Sequence, residues 1–62
     1  MKKIKQMKGF IIAELNDKEI REHGTISRYN VYTEDEWDMR PNCYPEWECD
    51  NIQECEENIN SK

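Results

Sequence analysis

Three cysteines, Cys43, Cys49 and Cys55, and one histidine, His23, are the side chains of this chain best suited to ligate a metal or act as a nucleophile. Five residues separate each cysteine from the next, whereas structural zinc knuckles place their thiolates two to four residues apart. With a single histidine to complete a tetrahedron, the spacing predicts no metal site and no metal or organic cofactor. Cys49 and Cys55 are expected as buried thiols, and Cys43, in a loop, as the more exposed one. His23 stands before Gly24, at the end of a predicted helix, where a basic side chain complements the dipole; no serine or threonine pattern makes it a catalytic base.

Carboxylates are the other abundant chemistry. A pair of them can hydrolyse a glycosidic bond, but only across a sugar-binding cleft, and a chain of 62 residues leaves little room for one. The acidic runs also lack the spacing and glycine of an EF-hand. The expected class is therefore not an enzyme but a binding protein.

The distribution of charge says what it would bind. Between residues 33 and 57 ten acidic residues face Arg40 alone, a formal charge of −9, while the whole chain carries −5. Residues 1–33 are net basic, with Lys2, Lys3, Lys5 and Lys8 at their start, so the charge is dipolar. One reading is a solvated face that keeps a small protein soluble. The other rests on the interleaving of Trp37, Tyr44 and Trp47 with the acids, because aromatic residues anchor interfaces while carboxylates select cationic partners. Carboxylates spaced along a rigid strand and helix also imitate the phosphates of a nucleic acid. The candidate partner-binding residues are Glu34, Asp35, Glu36, Trp37, Asp38, Tyr44, Glu46, Glu48, Glu54 and Glu57, and the expected partner is the basic surface of a nucleic-acid-binding protein.

Elements that could hold these residues follow from the patterning. Residues 9–15 read as the best strand, mainly apolar on both faces, which places it centrally in a sheet or under a helix on one side and a partner chain on the other. Asn16, Asp17 and Gly24 bracket a short helix; the rival is a strand continuing through Ile20 with a turn at Asn16 and Asp17. Residues 26–33 alternate as a second strand, with Tyr29, Val31 and Thr33 on one face and Arg28, Asn30 and Tyr32 on a solvated one. Thr33 and Glu36 form a capping box opening a helical turn through Trp37, after which Pro41 and Pro45 mark a loop presenting Trp37 as an exposed anchor. Residues 46–49 alternate as a short edge strand with Trp47 and Cys49 inward. Asp50 caps a last helix over residues 51–60, with Ile52, Cys55 and Ile59 inward and Glu54, Glu57 and Asn58 outward.

The predicted fold is α+β: one domain, 1–62, with a small three-stranded antiparallel sheet and a C-terminal helix packed on one face. Ile11, Leu15, Tyr29, Val31, Trp47, Ile52, Cys55 and Ile59 form its core, and residues 1–8 a basic, frayed arm. The longest apolar run, residues 10–13, is far short of a membrane span, and the N-terminal residues lack the apolar stretch of a secretory signal, so a cytoplasmic location is expected, with no membrane and no direct nucleic-acid contact. In size, charge and absence of a catalytic motif, the chain is similar to phage-encoded anti-defence proteins, including anti-CRISPR proteins, which block nucleic-acid-binding effectors; the similarity is one of general character and carries over no residues. The competing expectation is a structural or regulatory protein acting through a hydrophobic homodimer face.

Overall fold

A computed structural model of the chain describes residues 1–40, 42 and 44–61. The elements run β1 (Lys2–Met7), β2 (Phe10–Glu14), α1 (Asp17–His23), β3 (Tyr29–Thr33), α2 (Glu34–Asp38), β4 (Trp47–Cys49) and α3 (Ile52–Asn60). The strands form one antiparallel sheet in the order β1-β2-β3-β4. The fold is thus α+β as predicted, but with four strands rather than three.

The additional strand is the segment predicted as a frayed arm. Lys8 and Gly9 both adopt positive φ, 51° and 80°, the backbone of a tight two-residue hairpin turn. The turn folds Lys2–Met7 back on β2, pairing Met7 with Phe10 and Gln6 with Ile11. The register shifts between Lys3 and Lys5, so Ile4 sits in an irregularity of the pairing.

Helix ends follow local chemistry. The Asn16 side chain accepts from the Glu19 N–H at 2.8 Å and Glu19 accepts from the Asn16 N–H at 3.0 Å, while Gly24 ends α1 at φ 67°. The helical reading of this segment therefore holds and the strand through Ile20 does not form. Thr33 and Glu36 make the same reciprocal pair at the start of α2. At α3 the cap is Asn51, which accepts from the Glu54 N–H at 2.8 Å, rather than Asp50.

The two faces of the sheet are both covered. On one, Ile12, Val31 and Cys49 form a buried cluster with Cys55 and Ile59 of α3, bordered by Met7, Phe10, Tyr29 and Trp47. On the other, Ile11, Ala13, Leu15, Asn30 and Tyr32 are each at most 3% exposed. The predicted solvated side of β3 is instead buried, because the Trp37 ring packs on Tyr32 with centroids 5.9 Å apart and the Tyr32 hydroxyl donates to Met1 Sδ at 3.5 Å. The core consequently gains Ile12, Ala13 and Tyr32 and includes Cys49, predicted inward, while Tyr29, Trp47 and Ile52 are half-buried. β3 also begins later than predicted, leaving Ile26 95% exposed.

Candidate functional site

The candidate acids ride on three elements. Glu34, Asp35 and Asp38 are exposed on α2, Glu46 and Glu48 at β4, and Glu54 and Glu57 on α3. Trp37 packs on Tyr32 and Ile59 clusters with Val31; neighbouring strand residues point to opposite faces, so α2 and α3 lie on opposite sides of the sheet. The acids therefore do not converge on one flat patch. They are spread over both faces and the β4 edge, while the lysine-bearing β1 forms the opposite edge. Two contacts tie the acidic helices back to β1, Lys5 with Glu56 and Gln6 with Glu34.

Few of these charges take part in ion pairs among the described residues. Ion pairs among the described residues join the Met1 amino group to Glu19, Lys5 to Glu56, Lys18 to Glu22 and Arg28 to Asp17. Asp35, Asp38, Glu54 and Glu57 are absent from that set. Glu36 is different: the Thr33 N–H holds its carboxyl below the usual carboxylate range, and a hydrogen bond with the Glu46 side chain adds to the effect. Glu36 and Glu46 are thus brought together, Glu36 serving as a helix cap. The Arg28 guanidinium likewise lowers Asp17 through a hydrogen bond at 2.8 Å.

The aromatic residues divide. Trp37, predicted as an exposed anchor in a loop, is half-buried within α2. Arg40 lies over its ring, with Cζ 3.2 Å from the centroid, and donates Nε–H to the Trp37 carbonyl at 2.7 Å. A cation already stacked there leaves that face less accessible to a partner. Trp47 packs beside Phe10, centroids 5.5 Å apart. Tyr44 alone of the three stands out, 90% exposed.

Cys49 and Cys55 are buried thiols. Burial raises Cys55 well above an ordinary thiol, and a hydrogen bond with Cys49 adds to this, which suppresses the nucleophilic thiolate. The exposure expected for Cys43 lies outside the described residues. Among the described residues no three His, Cys, Asp or Glu side chains gather in a way that could hold a metal ion, and no helix is long and apolar enough to cross a membrane. His23 ends α1 as an exposed basic residue of its last turn. Asn58, predicted to face outward, is half-buried and donates to Cys49 Sγ at 3.5 Å.

One polar residue escaped the sequence reading. Asn30 is 3% exposed, and its Oδ1 accepts no hydrogen bond among the described residues, a condition that ordinarily costs about 1–3 kcal/mol. Its signal was an asparagine in the middle of a strand whose partner residue, Ala13, belongs to an apolar run. No family model matches the chain, and no curated protein and no solved structure matches it either.

Proposed function

We propose that this chain is a small acidic binding protein, not an enzyme, that inhibits or modulates a nucleic-acid-handling protein by occupying its basic surface. The supporting observation is that Asp35, Asp38, Glu54 and Glu57 project from two capped helices without a cationic partner among the described residues. Fixed, uncompensated carboxylates attract a cationic surface and repel nucleic acid itself. Their placement on helices at opposite faces of the sheet suits a groove or channel that closes around the β4 edge better than a flat surface. The role is of the kind played by phage anti-defence proteins such as anti-CRISPR proteins, in the cytoplasm, where such effectors meet nucleic acid.

The homodimer reading was motivated by a strand apolar on both sides. Ile11, Ala13 and Leu15 are buried within a single chain, and the large apolar residues that remain exposed, Ile4, Ile26, Met39 and Tyr44, are not on the core face of β2. Among the described residues this burial favours the acidic-binding reading over the homodimer one.

The test is capture of the partner from the native host, followed by affinity measurement at several salt concentrations with the wild type and with Asp35, Asp38, Glu54 and Glu57 all changed to lysine. Affinity should fall about tenfold or more as salt rises from low to physiological, a DNA duplex should displace the chain, and the reversal should abolish binding while circular dichroism is unchanged. A folded reversal variant that binds as well as wild type would refute the proposal.

A further inference from the structure

Two thiols share the buried cluster between α3 and the sheet, Cys49 at the end of β4 and Cys55 in the first turn of α3. We propose that they are an oxidisable pair, closed to a disulfide by a small disulfide oxidant such as oxidised glutathione, and that the bond pins α3 to β4. The inference does not depend on the binding role above.

Local structure brings the two sulfurs together. The Asn51 side chain accepts from the Glu54 N–H at 2.8 Å and its carbonyl accepts from the Cys55 N–H at 3.3 Å. The five residues between the cysteines therefore turn about one fixed cap, which returns Cys55 to the cluster that holds Cys49. There the Cys55 thiol donates to Cys49 Sγ, and the Asn58 amide of the same helix donates to that sulfur at 3.5 Å. Cys49 is thus the acceptor of the pair and Cys55 holds the proton between them, which makes Cys49 the sulfur to attack first. The other members of the cluster, Ile12, Val31 and Ile59, are aliphatic and offer no competing nucleophile.

Both cysteines are at most 1% exposed, so the oxidant reaches them through local opening of α3, a nine-residue helix too short to be stable undocked. In the opened chain Cys49 releases its proton to water and attacks one sulfur of oxidised glutathione. A bond forms from Cys49 to glutathione, the S–S bond of the oxidant breaks, and one glutathione thiolate leaves. The closed cluster has no room for the attached tripeptide, so α3 cannot redock over it. Cys55, deprotonated in its turn, attacks the Cys49 sulfur and expels the second glutathione. Two protein thiols have then lost two hydrogens and one glutathione disulfide has become two thiols. The product adds no atom to the cluster, and α3 redocks with the bond in place.

The test incubates the wild-type chain with oxidised glutathione at about pH 8, near the ordinary thiol pKa, blocks the remaining free thiols and cuts the chain after glutamate. Cleavage after Glu46, Glu48 and Glu54 leaves Cys43, Cys49 and Cys55 on separate fragments, so mass spectrometry identifies the bond. The fragments carrying Cys49 and Cys55 should be joined in a monomeric chain that has lost two hydrogens, and dithiothreitol should restore the thiols. The urea midpoint of the oxidised chain should exceed that of the reduced chain by about 1 M or more. Cys55→Ala removes the thiol that resolves the adduct, so the same treatment should leave glutathione on Cys49 and lower the midpoint. If that variant does not fold, the wild-type fragments and midpoint decide the matter. Glutathione adducts that persist on wild-type Cys49 or Cys55, bonds only to Cys43 or between chains, or an oxidised midpoint at or below the reduced one would each overturn the inference.

Discussion

Ile59→Ala tests whether α3 is held by the cluster it shares with the sheet. The helix has nine residues, and isolated helices shorter than about 12–15 residues are marginal in water, so its order depends on docking. Ile52, Cys55 and Ile59 lie along one stripe, and of these Cys55 and Ile59 are fully buried against Ile12, Val31 and Cys49. Truncating a buried isoleucine to alanine costs about 2–5 kcal/mol. Ile59 sits one residue from the helix end, where the last turn can relax, which favours the lower part of that range, about 2–3 kcal/mol. At about 0.05–0.15 kcal/mol per residue, a chain of this length has only about 3–9 kcal/mol in total. With a urea slope of about 1 kcal/mol/M for a small protein, the unfolding midpoint should drop by about 2 M or more. Ile26→Ser, at a position 95% exposed, should move it by less than about 0.5 M, since surface substitutions stay within about 0.5 kcal/mol. Urea titration followed by tryptophan fluorescence gives the midpoint, and amide exchange shows whether protection of residues 55–60 is lost first. Equal midpoints for Ile59→Ala and wild type would mean that α3 is not docked on the sheet, and the placement of Glu54 and Glu57 would fall with it.

Two further predictions concern titration and thiols. Glu36 has a carboxyl pKa lowered by folding, so the unfolded chain binds the proton first; its contribution is complete above the unfolded value, about 4.3, and disappears as pH falls through the folded one. Stability measured by urea midpoint should therefore decline below about pH 4.5, and Glu36→Gln, which keeps the capping geometry without the titration, should show a shallower decline; curves of identical shape would contradict the assignment. Cys49 and Cys55 should resist alkylation in native protein at neutral pH and react on unfolding, as read by mass spectrometry of digested protein. Labelling of Cys55 at the rate of an unfolded peptide would show that its burial is wrong.

What could be read from the sequence was what is decided locally. The caps at Asn16 and Thr33 satisfy N–H groups three residues away, so type and spacing suffice to find them. At α3 the same logic met two adjacent capping residues, Asp50 and Asn51, and chose the wrong one, since either side chain can do the task. β1 was missed because its side chains are mostly exposed and carry no alternating apolar pattern. Asn30 and Tyr32 were misassigned because polar type suggests solvent, whereas their burial comes from Trp37 and Met1, residues close to them only after folding. The same dependence moved Trp37 from surface anchor to packing residue. The acids were legible as outward charges, but their division between two faces follows from where α2 and α3 attach, which no local pattern records.

The strand order also sets how the molecule assembles. Each strand pairs with the one that precedes it in the chain, so no pairing has to await a segment made later. Chains dominated by such near-neighbour contacts lose less entropy in closing loops and fold quickly. The β1–β2 hairpin, closed by the two-residue turn at Lys8 and Gly9, can form within about 1–10 μs and offers an edge to β3. The three-residue β4 and the nine-residue α3, too short to persist alone, then add to a template already standing. The buried cluster nonetheless joins Ile12 and Val31 of the basic half to Cys49, Cys55 and Ile59 of the carboxylate-rich half, so the hairpin's apolar face is covered only once both halves are present.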